Sequence, residues 1–343
     1  MLFAAFGAIR AGFPGTSAAD MSWILNGYTV VYAAMLIPAG GIADTHGRKK
    51  VFLFGVTLFL ASSAACGLSG SVGWLVAARV MQAIGAALLT PASLSIVLDA
   101  FPHSTRAVTV SLWGAVGGLA AAIGPSRGSF VVEAMGWQWA FFLNLPLGAL
   151  SLWRGAALLK EAKKAESQRP VDGVGMGLLI LGVGALALSI VQSQSPRWTS
   201  SDLAVAAATG VVALVGFVIW ARVAPAPLVD LRLFRHSTYT FVNLATLAFG
   251  IAFSMMFFAF FFYMTEVWHY TVAQAGLAIT PGPLLVIPFA IMSGRLAARR
   301  GHRPFLVGGA LLYACGGLWF LLVPDAQPAY LAHWLPGLLL TGV

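Results

Sequence analysis

The stretch GGIADTHGRKK, residues Gly40–Lys50, ends a long apolar segment with one acid and three consecutive cations. Only 9% of the residues in this chain are charged, so such a concentration of charge in one short turn needs an explanation. A similar stretch, SGRLAARRGHR, occupies Ser293–Arg303 and also follows an apolar segment. Both stretches have the composition expected where a hydrophobic helix meets the polar surface of a membrane.

The composition of the whole chain indicates an integral membrane protein. Hydrophobic residues make up 59% of the 343 residues, and the mean hydropathy is +0.87. A soluble globular chain is closer to half apolar and a quarter charged. A helix crosses a bilayer with roughly 20 residues, and about ten segments are long enough: 24–43, 51–70, 74–98, 107–132, 137–159, 173–191, 203–221, 239–264, 274–294 and 304–323.

The distribution of cations predicts the orientation in the membrane. Lys and Arg accumulate in cytoplasmic loops, and 16 of the 20 fall in loops that alternate with the predicted spans. The opposite loops hold Arg10 and Arg197, whereas Arg79 and Arg127 lie inside spans. We therefore predict that Asp44–Lys50 is cytoplasmic, and the basic charge gives no reason to expect a nucleic-acid partner.

The two charged turns also suggest an internal repeat. With an offset of 254 residues, Gly40 aligns with Gly294, and Gly47 aligns with Gly301. Membrane transporters are commonly built from two related halves. Asp44 breaks the match, because alanine stands at position 298, and this difference suggests a specific role for the acid.

Several motifs resemble signatures of the major facilitator superfamily, in the family's order. GGIADTHGRKK looks like motif A, between helices 2 and 3, and matches it at Gly40, Asp44, Gly47, Arg48 and Lys49. LVAARVMQAIGAA, residues 75–87, is similar to motif B of helix 4 and matches it at Arg79, Gln82 and Gly85. AAAIGPSRGS, residues 120–129, resembles motif C of helix 5 at Gly124, Pro125 and Gly128.

WQWAFFLNLPLG and PLVDLRLFRH, residues 137–148 and 227–236, are similar to signatures of the fourteen-span drug:proton antiporter branch. This resemblance implies an all-helical fold with an N-terminal six-helix bundle, two extra central helices and a C-terminal bundle that is incomplete here. The expected parts are 1–159, with a partial helix 1, a cytoplasmic linker 160–172, the inserted helices 173–222 and the C-terminal bundle 223–343. We expect the chain to be truncated at both ends.

The motif A acid has two interpretations. Asp44 lies at the C-terminal end of its helix, where the helix dipole disfavours an acid by a few tenths to about 1 kcal/mol. Arg48, one turn further on, is the obvious local partner. The resemblance implies a latch to neighbouring helices that is made in one transport state and broken in the other. The alternative is a solvated loop charge that only fixes orientation.

Arg79 lies about five residues, or roughly 8 Å, inside its predicted span. A charge at the bilayer centre costs about 2.5–3.5 kcal/mol and usually faces the bundle interior. The resemblance implies that Arg79 lines the central cavity and tunes a nearby proton-binding group, with Gln82 on the same face. The alternative is an arginine that snorkels to the outer interface.

Helix 5 is expected to bend at Pro125, which removes one helical hydrogen bond. The resemblance implies that this motif favours outward release and limits leak, whereas the alternative is an ordinary proline kink. Arg127 and Ser129 depart from the family pattern. Arg127 could pair with Glu133, snorkel outward or obstruct helix packing.

The resemblance implies a multidrug efflux transporter that exports amphipathic small molecules in exchange for protons by alternating access. We expect a monomeric, multi-pass protein of a bacterial plasma (inner) membrane, with no cofactor, no metal and no catalytic residues. The sequence has no Walker-type loop, no spaced histidine ligands and no nucleophile–base arrangement. Two alternatives stay open: a truncated, transport-inactive protein, and a dedicated exporter of a metabolite, siderophore or lipid precursor.

Overall fold

The computed structural model describes residues 2–161, 172–193, 195 and 197–342. Within these ranges the description omits the side chains at 2–4, 18, 103, 107, 121–122, 125–127, 129, 272–273 and 298–299. The described residues form no strand. Their α-helices are α1 Leu2–Gly12, α2 Ala18–His46, α3 Arg48–Gly67, α4 Val72–Ala100, α5 Arg106–Met135, α6 Trp139–Phe142, α7 Asn144–Leu158, α8 Gly173–Gln192, α9 Ser200–Val223, α10 Ser237–Phe262, α11 Val272–Ile279, α12 Pro281–Arg300, α13 Arg303–Leu322 and α14 Leu335–Gly342. Short 3₁₀ turns cover His103–Thr105 and Leu231–Arg235, and π-helical turns cover Tyr263–Val267 and Tyr330–Trp334.

The all-helical membrane architecture is confirmed. Among the described residues, nine helical segments are long and apolar enough to cross a bilayer. They coincide with nine of the ten predicted spans. The tenth prediction, 107–132, falls in the 30-residue helix α5, whose described apolar part is the shorter segment Val108–Ala120.

The helices form two compact units. The first unit comprises Gly7–Asp99 and Gly136–Arg235, and so contains α2–α4 and α6–α9. The second comprises Met1–Phe6, Ala100–Met135 and His236–Val343, and so contains α5 and α10–α14. The domain boundaries stay a prediction, and most of the proposed linker, 160–172, lies outside the described residues.

Close helix packing in the first unit depends on a pair of glycines. A Cβ at Gly85 of α4 would lie 2.7 Å from the backbone nitrogen of Phe59 and 2.9 Å from the carbonyl oxygen of Gly55. A Cβ at Gly55 of α3 would meet the backbone of α4 at 2.9 Å. Because neither position has room for a methyl group, the two backbones can touch only where both residues are glycine.

The helices α8 and α9 pack against each other and, through α8, against α2. Asp172, at the N-cap of α8, joins the start of α8 to the C-terminal part of α9 and the segment that follows it. Its carboxylate accepts hydrogen bonds from the Gly175 N–H at 2.8 Å, the Trp220 indole N–H at 2.8 Å and the Leu228 N–H at 2.9 Å. Burial raises the pKa of Asp172, but these three bonds outweigh burial and lower the pKa below its ordinary value.

At the opposite end of the pair, Arg197 in the loop between α8 and α9 forms a two-pronged ion pair with Asp20 of α2. The guanidinium nitrogens lie 2.6 and 3.0 Å from the two carboxylate oxygens. The hydrogen bond to Asp20, which favours the charged form, raises the pKa of Arg197. Asp172 therefore joins α8 to α9 and the segment after it, whereas Arg197 joins the loop between the two helices to α2.

The second unit has an aromatic core around Phe260, Trp268 and Trp334, with Met264 and Leu338 packed among the rings. The Phe260 and Trp334 rings are 5.0 Å apart in an edge-on arrangement. In the same unit, α5 packs along α11 and α12. Helix α5 is therefore held by helices that come much later in the chain.

The two charged turns share a backbone geometry. Gly47 follows α2 with φ +103°, and Gly301 follows α12 with φ +81°. The Gly47 N–H donates to the Ala43 carbonyl at 3.1 Å, and the Gly301 N–H donates to the Ala297 carbonyl at 2.9 Å. Glycine is the residue that adopts positive φ without steric cost. The local geometry thus agrees with the alignment of the two stretches.

Candidate functional site

The motif A turn places its charged residues at the junction between α2 and α3. Gly47 lets α2 stop and α3 start at once, at Arg48. The Arg48 guanidinium then reaches back one turn and donates to the Asp44 carboxylate at 2.9 and 3.1 Å. The structure therefore contains the local partner expected for Asp44.

Arg48 also binds a second carboxylate, that of Asp99 at the end of α4. One guanidinium can serve two acids because it presents several donors in a planar fork. Asp44, Arg48 and Asp99 thereby connect α2, α3 and α4 within the first unit. Asp99 was not predicted from the sequence, although an isolated acid at the end of an apolar helix indicates a polar partner nearby.

Glu161 caps the N-terminal end of α3. Its carboxylate accepts the backbone N–H groups of Lys49 at 3.1 Å and Lys50 at 3.2 Å. The first N–H groups of a helix have no partner inside the helix, so a carboxylate at this end satisfies them and complements the dipole. The Lys49 ammonium group donates to the Ala156 carbonyl of α7 at 2.9 Å. A Cβ at Gly47 would lie only 2.8 Å from the Glu161 carboxylate. This close approach is a second reason, besides the positive φ, why glycine occupies this position.

A buried polar network lies around Arg79 of α4. Its Nε–H donates to the Ile24 carbonyl of α2 at 3.1 Å, and a terminal nitrogen donates to Gln82 Oε1 at 2.6 Å. The guanidinium carbon is 4.0 Å from the centroid of the Tyr28 ring, where the cation faces the π-electrons. These contacts turn the side chain toward other helices of its unit, which favours the interior placement over snorkelling. Whether Arg79 lines a transport cavity stays a prediction.

The network continues from Gln82 to two further helices. Gln82 Nε2 donates to Ser63 Oγ of α3 at 2.6 Å, and Asn144 Nδ2 of α7 donates to the same oxygen at 2.9 Å. Arg79 sets the direction of these bonds, because a guanidinium has only donors. Gln82 must face it with the carbonyl oxygen, so the Gln82 amide nitrogen must donate onward to Ser63.

The two central members of this network are buried, whereas Arg79 and Asn144 are partly exposed. Gln82 is 1% exposed and Ser63 is fully buried. No acid forms an ion pair with Arg79 among the described residues, so neutral oxygens and an aromatic ring satisfy this partly buried cation. Ser63 was missed from the sequence and Asn144 was not distinguished there from other polar residues. Ser63 and Asn144 are 81 positions apart in the chain, so no local sequence pattern predicts their contact.

The glycines of motifs A and B have packing roles in this structure. Gly40 of α2 faces Pro91 of α4 at ordinary contact distance, 3.8 Å from a Cβ built on it. Gly85 belongs to the close contact between α3 and α4 that the fold requires. Any additional part that these residues take in transport stays a prediction.

Motif C lies in α5, in the second unit. Gly124 is half-buried and Gly128 is buried, and a Cβ at Gly124 would meet no described heavy atom within 4 Å. The side chains of Pro125, Arg127 and Ser129 lie outside the described residues. The antiporter role of this motif therefore stays a prediction. In the described part of the chain, no group of three or more His, Cys, Asp or Glu side chains is arranged to hold a metal ion.

The chain is similar to curated bacterial proteins that are named for drug export or drug resistance. The chain is 29% identical to the multidrug export protein EmrB of Escherichia coli, over 90% of this chain and 60% of that protein. It is 32% identical to the tetracenomycin C resistance and export protein of Streptomyces glaucescens, over 91% and 58% of the two chains. It is 32% identical to the multidrug resistance protein Stp of Mycobacterium tuberculosis, over 94% and 59%. The chain thus spans about three fifths of the length of these relatives.

The fold is similar to that of a solved transporter. The crystal structure of the human organic anion transporter MFSD10 (TETRAN) superposes with a TM-score of 0.50 at 17% sequence identity, over 99% of this chain and 71% of that chain. The family model of the Major Facilitator Superfamily matches residues 1–343. This multi-pass helical chain, with its charged turn after α2 and its polar network around Arg79, belongs to the major facilitator superfamily of membrane transporters and is not an enzyme.

Proposed function

We propose that the protein exports amphipathic, drug-like small molecules from a bacterial cell in exchange for protons, by alternating access. Its relatives named for multidrug and antibiotic export support an amphipathic cargo. The observation that carries the proton coupling is the partly buried Arg79 cation, which forms no ion pair with any described acid. A positive charge in a medium of low dielectric constant lowers the pKa of a nearby carboxylic acid and so favours release of its proton.

Within this proposal the charged turn is the conformational latch. Arg48 holds Asp44 and Asp99, and the turn lies on the cytoplasmic face of the plasma membrane. Because these ion pairs are largely exposed, each contributes only about 0–1 kcal/mol, a strength that thermal fluctuation can overcome during a transport cycle. Motif B supplies the coupling residues Arg79 and Gln82, and motif C of α5 limits leak. The transport unit is a monomer.

Proton-dependent dye efflux tests the proposal. Cells producing the complete reading frame are loaded with ethidium, and its loss is followed by fluorescence before and after an uncoupler collapses the proton gradient. We expect efflux that stops when the uncoupler is added, after subtraction of the efflux from cells carrying an empty vector. Inside-out vesicles should also show proton release when ethidium is added. Efflux that continues without a gradient contradicts proton exchange, and no efflux of any amphipathic cation contradicts the cargo.

A further inference from the structure

A continuous groove runs along one face of α9 and past its C-terminal end. Its first part, of about 410 Å³, is lined by apolar side chains of α9 and ends at Arg222. Its second part, of about 1060 Å³, begins at Val218 and Arg222 and continues over the segment 224–235. The two parts share Val218 and Arg222, so an apolar track leads directly into a wider polar chamber.

The apolar track occupies the outward face of α9. Val211, Val215, Val218 and Ile219 are exposed, and they recur at the spacing that places residues on one helix face. The opposite face, with Gly210, Ala213, Phe217 and Ala221, is buried. From Val211 to Arg222 the helix rises about 16 Å at 1.5 Å per residue, which is close to half the roughly 30 Å hydrocarbon thickness of a bilayer. The track therefore has the length of one leaflet.

The chamber at the end of the track is strongly basic. Arg222, Arg232 and Arg235 line it together with a single acid, Asp230. Asp230 accepts the Arg232 backbone N–H at 2.9 Å. None of the three guanidinium groups forms an ion pair with a described residue. The chamber thus offers three cations against one acid, at the C-terminal end of the apolar helix α9.

The walls of the chamber are fixed by the rest of the first unit. The Leu228 N–H donates to Asp172, and Asp172 also binds the Trp220 indole of α9. Pro225 and Pro227 line the chamber and restrict the backbone that leads from α9 to this contact. Arg222 on the helix and the arginines of the Leu231–Arg235 turn consequently lie around one cavity at the C-terminal end of α9.

We propose that this groove binds one anionic phospholipid of the cytoplasmic leaflet, with an acyl chain along Val211–Ile219 and the phosphate between Arg222, Arg232 and Arg235. Basic pockets beside membrane helices on the cytoplasmic side are suited to anionic headgroups, and arginine binds phosphate oxygens through its planar fork. The matching length of the track, together with the charge at only one of its ends, distinguishes a lipid from a soluble phosphate compound.

Lipid titration of the purified chain tests the headgroup contact. Dioleoylphosphatidylglycerol or the zwitterionic phosphatidylethanolamine is added to the protein in maltoside detergent, and lipid-bound species are quantified by native mass spectrometry. We expect one saturable phosphatidylglycerol site. Affinity should fall about fivefold for each arginine replaced, which corresponds to about 1 kcal/mol per cation near an anionic surface. The variant R222Q/R232Q/R235Q should therefore lose preferential binding, whereas R154Q, at the end of α7, should retain it.

A second comparison tests the acyl track and the source of the phosphate. Val215→Ser should weaken phosphatidylglycerol binding severalfold, and Val205→Ser, an exposed valine of the same helix outside the groove, should leave it unchanged. Soluble glycerol phosphate at millimolar concentration should fail to displace the lipid. Equal binding by the triple arginine variant, or equal affinity for both lipids, overturns the proposal. So does displacement by glycerol phosphate, which would indicate a soluble ligand.

Photocrosslinking in intact membranes identifies the occupant directly. A photoreactive amino acid at position 215 of the complete protein should attach phospholipid, and attachment should decrease in the triple arginine background. A crosslink from position 215 to a protein segment, either of the same chain or of a partner, overturns the proposal and identifies the groove as a helix-packing surface.

Discussion

Arg48 and Arg79 lie in the same unit, and each contacts other helices. The two positive charges are stabilised by different kinds of partner, acids for Arg48 and neutral groups for Arg79. Arg48 binds two carboxylates at the surface, and the side chains of Asp44 and Asp99 are 62% and 42% exposed. Arg79 of α4 faces α2 and α6, and its described partners are a carbonyl, a glutamine amide and the rings of Tyr28 and Phe141.

This difference separates two physical roles. At the surface, water and ions screen the charges, so the ion pairs of Arg48 are weak and can break and reform. In the interior, the neutral oxygens that stabilise Arg79 leave its net charge in place, and that charge acts over a longer range in a low dielectric medium. We therefore expect changes at Arg79 to affect proton coupling and changes at Arg48 to affect the conformational equilibrium.

The largest effect is expected for Arg79→Gln in the complete protein. The variant removes the charge but keeps an amide that can still donate to Gln82, so the protein should fold. Proton-driven ethidium efflux should fall at least about tenfold, because the lost charge no longer lowers the pKa of the coupled acid, and a change of one pKa unit is tenfold in the proton equilibrium. Arg79→Lys keeps the charge without the planar fork and should retain partial efflux. Normal proton-coupled efflux by Arg79→Gln would contradict the proposal that Arg79, unlike Arg48, acts in proton coupling.

Two adjacent serines of α3 provide a matched control for the same network. Ser63 accepts from Gln82 and Asn144, whereas Ser62, also buried at 5% exposure, is not part of this network. Ser63→Ala leaves the buried Gln82 amide and the half-buried Asn144 amide without their acceptor, which costs about 1–3 kcal/mol. Its thermal unfolding midpoint in detergent should decrease clearly more than that of Ser62→Ala. Equal decreases would mean that the network does not position Arg79.

The sequence predicted the features that depend on local spacing. The turn at Gly47, the Asp44–Arg48 pair one helical turn apart, and nearly all of the spans follow from apolar runs and from residues close together in the chain. The close contact of Gly85 with α3 was not foreseen, because nothing near Gly85 indicates which helix lies against it.

The parts of the site that the sequence did not reveal are held together by tertiary contacts. Asp99, Glu161, Ser63 and Asn144 lie between 19 and 112 positions from their partners. A serine or an asparagine in an apolar helix has many interpretations until the neighbouring helix is known. Glu161 has the clearest retrospective signal, since an acid at the start of a basic linker suits the N-terminus of a nearby helix.

A smaller effect is expected at the surface cation. Arg48→Gln leaves Asp44 and Asp99 without their shared partner, so efflux should fall severalfold without being abolished. A double-mutant cycle of Arg48→Gln with Asp99→Asn, measured by thermal unfolding, should give a coupling of about 0.2–1 kcal/mol, and the coupling should decrease in 0.5 M salt as screening increases. A coupling that is large and independent of salt would contradict the view that the Arg48–Asp99 pair is exposed and screened by solvent.

The smallest effect is expected at Asp172, a carboxylate that, like Arg79, is satisfied by neutral partners. Its pKa is lowered from the ordinary value of 3.8, so its charge stabilises the fold above that pH, and this contribution is lost as the pH falls through the lower folded-state pKa. Asp172→Asn should lower the stability in detergent by about 0.3–1 kcal/mol at pH 7, as expected for an acid at a helix N-terminus. The difference from wild type should shrink below pH 3.8, whereas Glu266→Gln, an exposed acid of the second unit, should show little change at pH 7. A difference for Asp172→Asn that stays constant across this range would mean that the Asn side chain, rather than the missing charge, disturbs the contact with Trp220 and Leu228.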